Sequence, residues 1–157
     1  MALEIIYGDL FNEVMGKECI LSHGCNAQGV YGQVVAGIVK KLYPFAYKAY
    51  MSEKHRLHTG QVIVAEMMND KDEIVCPVIV ANCVTQEFYG RDGKQYVSYD
   101  AVVETQQAVA RWAKKRNLPV YLPLIGGGLG GGDEKRLTAI LQGCYHDVTA
   151  TLVLINN

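Results

Sequence analysis

Two glycine-studded stretches and one aspartate carry the residue types that could handle a phosphorylated ligand. The first is Gly126-Gly127-Gly128-Leu129-Gly130-Gly131-Gly132, which follows the apolar run Val120–Ile125 and precedes a helical pattern opening on Asp133 and Glu134. Glycines let backbone N–H groups crowd around an anion, and a helix N-terminus adds positive potential. A tight strand-to-helix turn is the plainer use of such a run. The second stretch is Ser22-His23-Gly24-Cys25-Asn26-Ala27-Gln28-Gly29-Val30-Tyr31-Gly32-Gln33. Here an apolar run breaks into a loop before another helical pattern, so two strand–loop–helix sites could grip one diphosphate from opposite sides. His23 suits acid–base work near neutral pH, and equally suits a hydrogen-bonded place at a strand end. Asn26 could orient a ribose or a water, or cap the turn. Asp9, in Gly8-Asp9-Leu10-Phe11, could accept a hydrogen bond from an adenine amino group, or cap a short helix.

Other chemistries fit less well. The glycine run contains Gly-x-Gly-x-x-Gly, but a dinucleotide fold needs an acid at the end of the next strand, and that strand runs into Ile155-Asn156-Asn157. There is no Gly-Lys-Ser/Thr for a Walker loop, and no cysteine followed at the right distance by an arginine. His55-x-x-His58 lacks an evident third ligand, so no metal is expected. Asp70-Lys71-Asp72 falls in a turn before a strand, the wrong place for a phosphatase nucleophile.

The elements that must position these residues follow from periodicity. Strands are expected over Leu3–Tyr7, Cys19–His23, Gln61–Met67, Ile74–Thr85, Val120–Ile125 and Thr149–Ile155. Three helices fall between them. In the first, Val34, Val35, Ile38, Val39, Leu42, Ala46 and Ala49 recur at helical spacing, and Pro44 should kink or divide it. The second runs from Tyr99 to Arg116, with Val102, Val109 and Trp112 inward. The third starts at Asp133 and buries Leu137, Ile140, Leu141 and Cys144. Asn69–Asp72 reads as a turn between antiparallel strands. Strands apolar at nearly every residue imply burial on both faces, hence an α/β fold: a three-layer α/β/α domain with a mixed, mostly parallel central sheet.

The chain has 157 residues, room for one domain. Half are apolar, a fifth are charged, and the net charge is -1. No global basic field draws it to nucleic acid, and the run Arg111, Lys114, Lys115, Arg116 reads as a solvated helix end. Five scattered cysteines without a Cys-x-x-Cys pair suit a reducing compartment rather than disulfides or thiolate zinc. Without a signal-peptide pattern or a membrane-length apolar run, a cytoplasmic location and no membrane contact are expected.

At these loops the sequence resembles the macrodomain family, which binds ADP-ribose. Gly8-Asp9-Leu10 is similar to that family's adenine-binding element, and Pro123-Leu124-Ile125 through Gly131 to its diphosphate loop. The stretch Leu21 to Asn26 through Gly32, with Tyr43-Pro44 and Tyr50, resembles the yeast-type ADP-ribose 1''-phosphate phosphatases, which place a functional histidine where His23 stands. The resemblance implies a domain over the whole chain that hydrolyses ADP-ribose 1''-phosphate without metal or cofactor. Asp9 would hold the adenine, with Leu10 and Phe11 nearby and Ile155 packing on the ring. Gly126, Gly127, Gly128, Leu129, Gly130 and Gly131, with Gly32, Gln33 and Val34, would line the diphosphate. Asn26 would fix the distal ribose and a water, His23 would serve as acid or base, and Phe88 and Gly90 would border the ribose. A sister branch that removes ADP-ribose from proteins uses a lysine and an aspartate; those positions correspond to Gln86 and Gly130 here, and Asp133 stands three residues too late. Two alternatives remain open: a reader of ADP-ribosylated proteins without catalysis, and a hydrolase freeing ADP-ribose from protein or nucleic acid.

Overall fold

The computed structural model describes residues 3–31 and 34–155. Six strands, β1 (Leu3–Tyr7), β2 (Cys19–Asn26), β3 (Val62–Ala65), β4 (Val78–Gln86), β5 (Val120–Leu122) and β6 (Ala150–Leu154), form one sheet in the order β1-β6-β5-β2-β4-β3. All neighbours run parallel except the edge strand β3, which lies antiparallel to β4. The helices are α1 (Leu10–Val14), α2 (Val34–Leu42), α3 (Pro44–Ser52), α4 (Tyr99–Arg116) and α5 (Glu134–Cys144).

Side chains of a strand alternate between faces, and here the alternation sorts two cores. Ile20 on β2, with Ile79, Ala81 and Cys83 on β4, pack beneath α4 and α5 with Val102, Val109, Leu137 and Leu141. Cys19, Leu21 and Cys25 on β2, with Val78 and Val80 on β4, pack on the other face with Leu10, Val14, Val39, Ala46 and Tyr50 from α1, α2 and α3. This is the three-layer mixed sheet that the apolar runs imply, and β2 and β4 are buried along nearly their whole length.

Local chemistry sets the ends. The long first helix divides at Tyr43, held at φ -130°, ψ 66°, because a residue before proline is pushed out of helical geometry. Val34, Ile38 and Leu42 of the apolar stripe are exposed, and Val39 is the residue of α2 that is fully covered. β5 stops at Leu122 since Pro123 has no N–H for the ladder. The strand expected from Ile74 begins only at Val78, after Pro77; Ile74 makes a single bridge to Met68 across the Asn69–Asp72 turn. α4 is capped by Ser98, whose Oγ accepts from the N–H of Ala101, and ends at Asn117 in the left-handed region. No described helix is long and apolar enough to cross a membrane.

Candidate functional site

After β2 the chain leaves through α2 and α3 toward β3 and β4, whereas after β5 it leaves through α5 toward β6. The neighbours β2 and β5 therefore send their loops apart at the carboxyl end of the sheet. In open α/β sheets this is where a ligand crevice forms. The two glycine-rich stretches are these two loops.

The loop after β5 is tightly folded on itself. Gly127 donates its N–H to Leu124 O at 3.0 Å, Gly130 to Gly127 O at 3.1 Å, Gly131 to Gly128 O at 3.1 Å and Gly132 to Gly126 O at 2.9 Å. The expectation that every N–H from Gly126 to Gly131 faces a ligand is thereby corrected. Gly126, Gly128 and Leu129 are the donors that bond no backbone carbonyl among the described residues. A strap over residues 94–97 crosses the loop, with the N–H groups of Tyr96 and Val97 donating to Gly130 O at 2.8 and 3.0 Å. Gly131 shows why glycine is needed: its φ is +73°, and a Cβ there would lie 2.9 Å from Gln95 Cα. At the start of α5 a carboxylate of the chain already takes one of the unpaired N–H groups. Asp133 caps it, accepting from the N–H of Arg136 at 2.8 Å, and its own N–H donates to Tyr99 Oη at 2.8 Å.

The loop after β2 is organised by Asn26. Its Nδ2 donates to Val30 O at 2.8 Å, while Oδ1 accepts from Gln28 N at 3.0 Å and Tyr50 Oη at 3.2 Å. Tyr50 also donates to Asn26 O at 2.7 Å. The amide is spent on the turn, so the structure gives Asn26 a loop-shaping place instead of the expected hold on ribose and water. Gln28 ties this loop to the one after β4, donating from Nε2 to Glu87 O at 3.1 Å.

His23 does not reach the crevice. It shares the parity of Leu21 and Cys25, so it points beneath α3 and is wholly buried. Its Nε2 lies 2.7 Å from Asn82 Oδ1 and 2.9 Å from Tyr31 Oη, and Tyr31 Oη lies 2.8 Å from the same Oδ1. Asn82 Nδ2 is occupied with Ala46 O and Ile63 O, so Oδ1 can only accept. Nε2 therefore carries the ring proton and Tyr31 donates to Asn82. Nδ1 is left with a buried lone pair and no partner among the described residues. Burial lowers the His23 pKa to about 4, against the smaller upward pull of Asn82, so the ring is neutral at pH 7. With no exposed surface, the imidazole does not reach the crevice, which corrects its expected role as a catalytic acid or base touching substrate.

The remaining expected contacts fall as follows. Asp9 is exposed and caps α1, with Oδ1 accepting from Phe11 N at 2.9 Å, which leaves Oδ2 open to a ligand. Leu10 is buried in the core, so its side chain is no contact surface. Ile155, Phe88 and Val34 are 74%, 60% and 60% exposed, free to meet a ligand. Gly32 and Gln33 lie outside the described residues. Gln86 stands beside Asn26 in the sheet register, and its Oε1 is 3.3 Å from where a Cβ on Gly130 would be. Gln86 and Gly130 thus lie against each other across the loops after β4 and β5. Sequence reasoning did not single out Tyr31 as a site residue, because its link to His23 and Asn82 is a hydrogen-bonded contact between elements and not a spacing along one strand.

No family model matches the chain. The ADP-ribose 1''-phosphate phosphatase of Meyerozyma guilliermondii is 32% identical over 111 residues, covering 69% of this chain and 56% of that protein. The chain thus spans little more than half the length of this relative. The ADP-ribose 1''-phosphate phosphatase of Lodderomyces elongisporus is 25% identical over 90% of this chain and 92% of its own. Among solved structures, the macrodomain of Thermus aquaticus DarG superposes with a TM-score of 0.75 at 20% identity, over 99% of this chain and 97% of that one. Thermosipho africanus DarTG in complex with ADP-ribose gives 0.76 at 18% identity, over 98% of this chain and 42% of that one.

Proposed function

The chain has the macrodomain fold and its sequence is similar to yeast ADP-ribose 1''-phosphate phosphatases, and from that premise we propose that it binds ADP-ribose and hydrolyses ADP-ribose 1''-phosphate to ADP-ribose and phosphate. The observation that carries the reading is the pairing of the two loops at the switch between β2 and β5, in a chain alike in sequence to phosphatases of that substrate. Asp9 Oδ2 accepts from the adenine amino group, and Ile155 covers the ring. The N–H groups of Gly126, Gly128 and Leu129 meet the diphosphate from one side, and the start of α2 at Val34 adds its positive end from the other. Gln86 Oε1 and Phe88 border the distal ribose.

Water attacks the phosphorus, the bond from phosphorus to the sugar oxygen breaks, and that oxygen leaves with a proton as the ADP-ribose hydroxyl. With His23 enclosed, the rate rests on oriented dipoles and positioning rather than on an imidazole. Slow turnover is the expectation. One observation favours a second reading, binding without turnover: the histidine of this region is buried and neutral. Phosphate release from ADP-ribose 1''-phosphate, measured beside calorimetric binding of ADP-ribose, separates the two. Release with binding supports the hydrolase, whereas tight binding without release supports the reader.

A further inference from the structure

We infer that His23 acts through Tyr31: together with Asn82 it is a buried positioning device that sets the pose of residues 27–31, just after β2, against the ligand, an inference resting on the ADP-ribose reading of that crevice. Three side chains from three elements meet here. His23 comes from the middle of β2, Asn82 from its register partner on β4, and Tyr31 from the segment that follows β2. Each hydrogen bond has a fixed direction. Asn82 is held by Ala46 O of α3 at 3.1 Å and Ile63 O of β3 at 3.2 Å, so its Oδ1 is a stationary acceptor. Tyr31 donates to that oxygen at 2.8 Å, and the one Nε2 proton of His23 is directed at the same oxygen at 2.7 Å with Tyr31 Oη 2.9 Å away, so the three polar atoms close a triangle around Asn82 Oδ1. The ring is packed as well, 5.3 Å from Tyr47 and 5.0 Å from Tyr50 between centroids.

Tyr50 in turn holds the near end of the same loop through Asn26 O. The segment 27–31 is thus held on both flanks, at residues 26 and 31, from inside the core. A phenylalanine at 31 would fill the volume but release the hydroxyl clamp. An alanine at 23 would remove one of the two bonds and open a cavity. The imidazole meets Cys25, Tyr31 and Asn82, and no charged side chain bonds it among the described residues. Burial raises the Cys25 thiol and both tyrosines, keeping each neutral.

The test uses Tyr31→Phe, His23→Gln, His23→Ala and the double variant Tyr31→Phe/His23→Ala, with thermal melts to verify folding. We expect Tyr31→Phe and His23→Ala each to raise the ADP-ribose Kd and the KM about tenfold, with kcat within about threefold of wild type. The double variant should be no worse than the poorer single one, because both remove the same clamp. His23→Gln, which keeps an N–H donor, should recover most of the affinity. The kcat–pH profile should keep its shape in all of them. His23→Ala with an unchanged Kd and a collapsed kcat, or Tyr31→Phe with wild-type affinity, would overturn the inference. If wild type binds no ADP-ribose, the ligand reading fails by itself. Amide exchange over residues 27–31 then decides the clamp: faster exchange in Tyr31→Phe upholds it, and unchanged exchange overturns it.

Discussion

At the scale of single residues, His23 shows how parity along a strand outranks chemical type. Histidine in a strand-end motif suggests acid–base work, yet its odd-numbered place beside Leu21 and Cys25 turns it under α3. Its lowered pKa has a consequence for stability. A histidine buried in its neutral form takes up a proton more readily when unfolded, so the folded state is penalised as pH falls below the unfolded value of about 6.5. The loss grows down to the folded value of about 4 and levels off near 3 kcal/mol, roughly, by the conversion of pKa shift to free energy. Urea midpoints at pH 7 and pH 4.5 should therefore separate in wild type and converge in His23→Gln. Equal separation in both would show that other groups set the acid limb. Asp9 offers a second residue-scale prediction. Asp9→Asn keeps the α1 cap and should melt within a degree or two of wild type, while binding ADP-ribose about tenfold more weakly. Asp9→Ala should lose affinity and also about 1 kcal/mol of stability.

At the scale of elements, the glycine loop is understood only with the strap that crosses it. Gly131→Ala forces a left-handed alanine into the backbone of Lys94 and Gln95. It should lower the thermal midpoint by several degrees, and ADP-ribose binding by more than tenfold, because strap and donors shift together. Wild-type binding in a folded Gly131→Ala protein would show that the strap is not coupled to the site. Much of this level was legible in the sequence. β1 and α4 fall where periodicity puts them, and the break before Pro44 follows from one residue's chemistry. β2 was drawn three residues short, since Gly24 and Asn26 look like loop residues; pairing with β4 carries the strand to Asn26 regardless. The strap over residues 94–97 was not legible, because its bonds from Tyr96 and Val97 to Gly130 O join segments more than thirty residues apart.

At the scale of the whole molecule, the reversal of strand order between β2 and β5 gathers loops from across the chain at one edge. That gathering follows from the alternating α and β pattern; which atoms remain unpaired there follows only from the packed structure. A ligand bound at that edge stabilises the folded state by mass action. ADP-ribose at a hundred times its Kd should add about 2.7 kcal/mol and raise the thermal midpoint by roughly 5–10 °C, whereas AMP should act more weakly.

The most direct measurement is phosphate release from ADP-ribose 1''-phosphate by the purified wild-type protein under single-turnover conditions. The account predicts slow release of one phosphate per substrate, abolished by excess ADP-ribose. Absence of release above the rate in buffer, at protein concentrations that saturate the ligand, would contradict it.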